Sequence, residues 1–268
     1  MKPILLLSSI LLLVASAYAI ESPHQDQSRS QEEPRLTVFM IGDSTMSDYN
    51  LAPASPIRGW GQMFAIYFKA NVLVDNRAVS GYTTKACLQN KWPKLIEAIR
   101  PGDYLIIQFG HNDSKADKPG YCSAFGAYKE NLERFVRETR ERKGIPILAT
   151  SVARRAYDEN DQARDTHGDY PVATRQVCAE QNVPLLEMTL HSMDLLTQLG
   201  PERSKILFSN PAQGEFPGYK PPNATRAGDP NPAMDNTHFN AFGASRMADF
   251  AAEEIRQKIP SLAMWLKD

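Results

Sequence analysis

The chain carries a series of short apolar runs, each of which ends in a polar or glycine-rich turn. The first run, residues 35–41, is rich in β-branched and aromatic residues and stops abruptly at Gly42-Asp43-Ser44-Thr45. Runs of this length that are bounded by turn residues predict buried β-strands. Four further strands are predicted in the same way, at residues 71–76, 103–109, 146–150 and 183–188.

The segments between these runs repeat their apolar residues with helical spacing. The clearest example is residues 124–142, where Tyr128, Leu132, Phe135 and Val136 form one apolar stripe. Strands that alternate with helices predict a three-layer α/β/α fold, in which helices cover both faces of a central five-stranded parallel sheet. The other predicted helices are at residues 59–68, around Trp92 and Leu95, at 171–181, at 189–200 and from residue 240 onward.

Ser44, Gly81 and Asn112 follow the first three predicted strands. Right-handed crossovers place the strand-to-helix loops of a parallel sheet on one edge. That edge is where α/β proteins bind ligands. We therefore expect these three residues to lie close together, although they are far apart along the chain.

Ser44 is a candidate nucleophile, and Asp235 and His238 lie three residues apart just before the final predicted helix. One turn of chain can set the carboxylate against Nδ1 of the imidazole and leave Nε2 for Ser44. The backbone N–H groups of Ser44 and Gly81 and the side-chain amide of Asn112 are candidate donors to an oxyanion. Taken singly, each of these matches is more typical of an ordinary turn or helix cap.

Together these fragments resemble the sequence blocks of the SGNH hydrolase superfamily, in the right order and each at a predicted loop. The resemblance covers residues 36–255, nearly the whole chain after its N-terminal segment. The matching residues are Gly42-Asp43-Ser44-Thr45, Gly81, Gly110-His111-Asn112-Asp113 and Asp235-Asn236-Thr237-His238.

Within that superfamily the chain looks most like the rhamnogalacturonan acetylesterases. The narrower match rests on Thr45, on Gly59-Trp60-Gly61-Gln62, on the block that begins at Gln108 and on Phe239 after the last block. The resemblance implies a flavodoxin-like α/β fold and a serine esterase that needs no metal or other cofactor. It also implies removal of acetyl groups from a pectic polysaccharide through an acetyl-enzyme intermediate, with Ser44, His238 and Asp235 as the catalytic residues.

Trp60, Arg77 and His111 are candidate substrate contacts. An indole can stack on a sugar ring, and Arg77, like Arg154 and Arg155, can pair with a uronate carboxylate. The alternatives are a place in the core for Trp60, ordinary surface charge for the arginines and a structural role for His111. Further stacking candidates, with the same core alternative, are Tyr49, Tyr121 and Tyr219.

The N-terminus has the pattern of a secretory signal. Lys2 precedes an apolar run that is too short to span a bilayer, and Ala17-Tyr18-Ala19 fits a small-x-small cleavage site. We expect a signal peptide at residues 1–19, a flexible leader at 20–34 and a single esterase domain at 35–268. The protein is therefore expected to be secreted or periplasmic.

Asn112-Asp113-Ser114 fits the N-glycosylation sequon. A glycan on Asn112 would block its expected donor role. This favours a bacterial setting, where that modification is usually absent.

Composition excludes some other classes. The chain has 268 residues and a net charge of −1, so it lacks the basic footprint of a nucleic-acid-binding protein. No later segment reads as a membrane span, and the three cysteines do not have metal-site spacing. Whether Cys87 and Cys122 form a disulfide is left open by the sequence. We expect a monomer whose partner is an acetylated polysaccharide or oligosaccharide.

Two other functions stay open at this stage. One is a lipase or thioesterase of the same superfamily that acts on other acyl esters. The other is a carbohydrate-binding protein that keeps the fold without catalysis. A nucleotide-binding α/β protein is disfavoured because the chain has no glycine-rich phosphate loop. Residues 201–236, rich in proline, are predicted to form a long loop.

Overall fold

The structure is a computed structural model that describes residues 36–50, 55–210 and 235–268. The predicted signal peptide and leader, Tyr219 and most of the predicted loop at 201–236 lie outside these residues. The described part of that loop is more regular than expected. Its first residues complete a helix, and Ser204–Leu207 forms a 3₁₀ turn.

Five strands form one parallel sheet in the order β2-β1-β3-β4-β5, which confirms the predicted fold class. The chain leaves β1 for the outer strand β2 and then returns to the other side of β1 as β3. The resulting crevice between β1 and β3 is the topological switch point of the sheet. The strands are β1 Leu36–Gly42, β2 Val72–Asn76, β3 Tyr104–Gln108, β4 Ile145–Ala149 and β5 Leu185–Leu186.

The helices lie on both faces of this sheet because side chains alternate along the buried strands. Val38 and Met40 face one apolar cluster, which also holds residues of α1, α6, α7 and α8. Phe39 and Ile41 face the other cluster, which α2 to α5 cover. The helices are α1 Trp60–Phe64, α2 Thr84–Asn90, α3 Trp92–Ala98, α4 Lys129–Glu141, α5 Asp169–Gln181, α6 Met188–Arg203, α7 Ala241–Lys258 and α8 Pro260–Ala263.

The observed elements differ from the predicted ones mainly at their ends. The fifth strand is shorter than predicted because Pro184 has no N–H for the ladder, although its carbonyl still accepts from the N–H of Leu148 at 3.0 Å. The helix predicted from residue 124 begins as a π-helical turn, Ala124–Tyr128, in which Gly126 leaves the helical region. The backbone of α6 leaves the helical region at Gly200, where the helix was predicted to end, and then adds one more turn.

Within the described ranges, no helix is both long and apolar enough to cross a bilayer. All three cysteines are buried free thiols: Cys87, Cys122 and Cys178. The structure therefore has no disulfide between Cys87 and Cys122, a pairing that the sequence left open. Cys87 and Cys122 belong to the same apolar cluster, where a thiol packs as a small apolar group.

We expect the unfolded protein to react with thiol reagent at all three cysteines when no reductant is present. The native protein should react slowly, because burial raises the pKa of Cys87 and of Cys178 to about 12. Titration with Ellman's reagent, with and without denaturant, measures both. A single reactive thiol in the unfolded protein would instead indicate a disulfide.

Candidate active site

Ser44 lies in the tight turn that follows β1, and hydrogen bonds to Asp43 hold this turn in place. The Asp43 carboxylate is fully buried, and its Oδ1 accepts hydrogen bonds from the backbone N–H and the hydroxyl of Thr45, at 3.0 and 2.9 Å. The Asp43 carbonyl also accepts from the N–H groups of Met46 and Ser47. These bonds hold the backbone on both sides of Ser44.

Ser44, His238 and Asp235 form one hydrogen-bonded series. Nε2 of His238 lies 2.9 Å from Oγ of Ser44, and Nδ1 lies 2.8 Å from Oδ2 of Asp235. The other oxygen of Asp235 accepts the backbone N–H groups of Thr237 and His238, both at 2.9 Å. The structure therefore brings together the three residues that the sequence singles out, and the local turn accounts for their spacing.

Backbone contacts at His238 and at the two residues that follow it fix the position of its imidazole. Its carbonyl accepts from the N–H of Ser209 at 2.8 Å, and the next carbonyl, of Phe239, accepts from the N–H of Arg58 at 2.9 Å. Asn240 then caps α7 by accepting from the N–H of Gly243. The ring is thus held between the start of a long helix and two neighbouring segments.

Gly81 and Asn112 also converge on this edge of the sheet, as predicted. The loop after β2 is joined to the end of β1, because the N–H of Val79 donates to the carbonyl of Gly42 at 3.0 Å. Nδ2 of Asn112 donates to the carbonyl of Tyr82, beside Gly81, at 3.0 Å. Gly81 is exposed at φ +81°, a conformation that favours glycine.

Two further contacts at the site were not predicted from the sequence, which offered Tyr49 only as a candidate for stacking on a sugar. Nζ of Lys115 donates to Oδ1 of Asn112 at 2.7 Å, which requires the amide nitrogen to point the other way. The hydroxyl of Tyr49 donates to the carbonyl of Ser44 at 2.9 Å. Burial raises the pKa of Tyr49 to about 12, so this donor keeps its proton. Only one feature of the sequence pointed to these contacts, which is that Lys115 lies close to Asn112 along the chain and Tyr49 lies close to Ser44.

Trp60 lies beneath the site instead of facing it. The indole is fully buried and donates from Nε1 to Oε1 of Gln108 at 2.9 Å. Nε2 of Gln108 in turn donates to Oγ1 of Thr45 at 2.8 Å, which extends the network to Asp43. The predicted contact of Trp60 with substrate is wrong, because the ring has no exposed surface for a sugar.

His111 is likewise wrong as a predicted substrate contact, because its side chain is only 2% exposed. Its Nδ1 lies 3.4 Å from Oδ2 of Asp43, and its ring packs edge-on against His167 with 4.4 Å between centroids. Burial lowers the pKa of His111 to about 3, so the ring is neutral near pH 7. Burial works against ionisation of Asp43, but His111 and the bonds from Thr45 bring its pKa down to about 2.

Arg77 lies on the outer side of the sheet, after β2. Its guanidinium pairs with Asp75 at 2.7 Å and lies over the ring of Phe39, 5.1 Å from the centroid. Its role in binding substrate stays a prediction. No three His, Cys, Asp or Glu side chains are grouped to hold a metal ion anywhere in the described ranges.

The fold and the site define a class of protein. A serine hydroxyl, an imidazole and a carboxylate in series can transfer an acyl group, and they lie at the switch point of a three-layer α/β sheet. The sequence model of the GDSL-like lipase/acylhydrolase family matches residues 40–246, and the chain belongs to this family.

Comparison with curated relatives indicates the type of reaction that the protein catalyses. The chain is 37% identical over 234 residues to rhamnogalacturonan acetylesterase RhgT of Bacillus subtilis, which spans 87% of this chain and 93% of that protein. It is 30% identical over 222 residues to the probable rhamnogalacturonan acetylesterase YesY of the same organism, with 82% and 92% covered. The chain is therefore a carboxylic ester hydrolase of the SGNH type, similar to rhamnogalacturonan acetylesterases.

Solved structures share the fold. The YxiM protein of Bacillus subtilis superposes with a TM-score of 0.69 at 23% identity, over 85% of this chain and 58% of that longer one. The acetylxylan esterase Axe2 of Geobacillus stearothermophilus superposes with a TM-score of 0.58 at 20% identity, over 83% and 95% of the two chains. At these identities the likeness supports the architecture alone.

Replacing Thr45 by Val should destabilise the protein, because it removes the hydroxyl that links Asp43 to Gln108 while keeping the side chain's shape. We expect a loss of about 1–3 kcal/mol in the free energy of unfolding, the usual cost of leaving buried polar groups unpaired. Thr45→Ser is the matched control, since it keeps the hydroxyl. Denaturant unfolding measures both, and equal stability of the two variants would contradict the linking role.

We expect the ionisation of Asp113 to lower the free energy of unfolding as the pH rises. Oδ1 of Asp113 accepts from the N–H and the hydroxyl of Thr84, but burial is the larger effect and raises the pKa from 3.8 to about 7. Because the folded protein holds this proton more tightly than the unfolded chain, the contribution is complete below about pH 4 and is lost through about pH 7.

Asp113→Asn should therefore flatten the dependence of the melting temperature on pH between about 4 and 7. The control is Asp117→Asn, which changes an exposed carboxylate of the same loop. Thermal melts across this pH window test the expectation. An unchanged pH profile for Asp113→Asn would show that this carboxyl does not titrate there.

Proposed function

We propose that this protein is an exported acetylesterase that removes acetyl groups from rhamnogalacturonan, with Ser44 as its nucleophile. The observation that carries the mechanism is the hydrogen-bonded series from Ser44 through His238 to Asp235. The substrate is proposed from the names of the two relatives above, which match along more than nine-tenths of their own lengths.

In the first half of the reaction, Oγ of Ser44 attacks the acetyl carbonyl while Nε2 of His238 takes the hydroxyl proton. The resulting tetrahedral intermediate collapses, and His238 returns the proton to the departing sugar oxygen. The sugar leaves with its hydroxyl restored and the acetyl group stays on Ser44. Asp235 holds the imidazole in its reactive orientation and stabilises the positive charge that the ring carries between the two transfers.

In the second half, water takes the place of the sugar. His238 removes a proton from the water as the water attacks the acetyl-enzyme, and it then returns that proton to Oγ of Ser44. Acetate is released and the free enzyme is restored. The 2.9 Å contact between Nε2 and Oγ is short enough for the transfer of the proton from Oγ in the first half and for its return to Oγ in the second.

The tetrahedral intermediate carries a negative charge on the former carbonyl oxygen of the acetyl group, and hydrogen-bond donors must stabilise that charge. We assign this role to the backbone N–H groups of Ser44 and Gly81 and to the side-chain amide of Asn112. Only one of the two Nδ2 hydrogens of Asn112 is needed for the bond to Tyr82, so the other can donate to substrate. Removal of one such donor typically lowers turnover by about 10²–10³.

Export is proposed from the sequence, because residues 1–19 have the charged, apolar and cleavage-site pattern of a signal peptide. A polysaccharide is too large to be taken up before it is trimmed, so an enzyme that deacetylates it is best placed outside the cytoplasm.

Ser44→Ala should abolish acetate release from acetylated rhamnogalacturonan, with kcat reduced at least ~10³-fold. The matched control is Ser47→Ala, because the hydroxyl of Ser47 bonds to the Asp43 carbonyl in the same turn and takes no part in the proposed chemistry. Acetate is measured enzymatically, and circular dichroism checks that both variants fold.

Equal rates for Ser44→Ala and the wild type would overturn the mechanism. A serine-directed phosphonate separates catalysis from mere sugar binding, because only an active nucleophile forms an adduct at Ser44. A series of p-nitrophenyl esters separates an acetylesterase from a lipase, since preference for octanoate over acetate would contradict the proposed substrate class.

A further inference from the structure

A large cleft opens beside the proposed catalytic residues. It begins at Asn236 and Thr237, inside the turn that joins Asp235 to His238, and at Ser114 and Lys115, just after Asn112. Its volume is about 1320 Å³, which exceeds the roughly 300–1,000 Å³ of pockets for drug-sized ligands. A cleft of this size beside an esterase site suits several units of a polymer chain.

The cleft carries an excess of positive charge although the whole chain has a net charge of −1. Its basic residues are Lys115, Arg154, Arg155 and Arg164, and its acidic residues are Asp117 and Asp169. A concave surface lined mainly by one sign of charge attracts ligands of the opposite sign. Such a surface favours an anionic ligand over a neutral one.

The arginines of the cleft have different surroundings. Arg154 donates to the carbonyl of His111 at 3.0 Å, and Arg155 donates to Oδ1 of Asn236 at 2.9 Å, so both are built into the walls. Arg164 is exposed, and its guanidinium makes no hydrogen bond or ion pair with any other residue in the described part of the chain. Arg164 is thus the cation best placed to pair with a ligand carboxylate.

Exposed aromatic rings lie in the same cleft. Tyr121 is 43% exposed and Phe125 is 52% exposed, and both belong to the segment that leads into α4. Phe125 lies on the π-helical turn, an irregularity that occurs frequently at functional sites. Exposed aromatic faces of this kind pack well against the C–H faces of sugar rings.

We propose that this cleft binds an acidic glycan, with a uronate carboxylate paired to Arg164 and a sugar ring packed on Phe125, while a neighbouring acetylated sugar reaches Ser44. The proposal rests on the proposed function for the position of the acetyl group. It goes further by naming the surface that distinguishes a uronate-containing chain from a neutral acetylated one such as xylan.

The Arg164→Gln variant tests whether the positive charge of Arg164 contributes to binding of the acidic glycan. We expect KM for acetylated rhamnogalacturonan to rise about 5–10-fold with kcat unchanged, because the carboxylate contact aids binding and not chemistry. Activity on acetylated xylan and on p-nitrophenyl acetate should stay as in the wild type. Arg137→Gln is the matched control, because Arg137 is an exposed arginine of α4 outside the cleft.

A binding measurement keeps this test independent of catalysis. Calorimetry with the Ser44→Ala protein compares a deacetylated rhamnogalacturonan oligosaccharide with a xylo-oligosaccharide. Arg164→Gln should weaken binding of the acidic oligosaccharide alone and reduce its salt dependence. Phe125→Ala should also weaken that binding but leave the salt dependence intact.

The outcomes separate the two proposals. Normal binding of the acidic oligosaccharide by Arg164→Gln, or equal losses for acidic and neutral ligands, would overturn the role of the cleft while leaving the proposed esterase activity in place. Specific loss of acidic binding in Arg164→Gln, together with a wild-type protein that releases no acetate from acetylated rhamnogalacturonan, would support the cleft and contradict the proposed function.

Discussion

The structure of the site depends on the buried carboxylate of Asp43. A buried charge is stable only when hydrogen bonds replace its lost water, and Thr45 supplies two of them from its N–H and hydroxyl. This requirement closes the turn after β1 and fixes the backbone on both sides of Ser44. His111, the residue before Asn112, lies 3.4 Å from the other carboxylate oxygen, so the side chain of Asp43 also contacts the loop after β3.

The hydrogen bonds below that turn explain why the chain has a threonine at position 45, a glutamine at 108 and a tryptophan at 60. Thr45 accepts from Gln108 and donates to Asp43, while Gln108 accepts from the indole of Trp60. A leucine at position 45 could make neither bond and would leave buried polar groups unpaired. The residues that carry the resemblance to rhamnogalacturonan acetylesterases therefore in part support the turn that holds Ser44, and they need not contact the sugar.

The sequence predicted those parts of the molecule that are determined by local pattern. The β1 run and the turn from Asp235 to His238 were identifiable because alternation, turn chemistry and short spacing are properties of neighbouring residues. Trp60 was misjudged because sequence does not distinguish an indole that faces a sugar from one that faces Gln108. The contact of Lys115 with Asn112 depends on how a loop closes, which no period or motif records.

The proposed catalytic residues and the proposed glycan-binding cleft lie in different parts of the fold. Ser44, His238 and Asp235 are fixed by buried backbone contacts at the end of the sheet. The cleft is built instead from the loops after β3 and β4, where Phe125 and Arg164 lie exposed. Substitutions in such loops have little effect on the core. On these proposals, one catalytic arrangement can serve different acetylated polymers, because the charge and aromatic surface of these loops can change without moving Ser44.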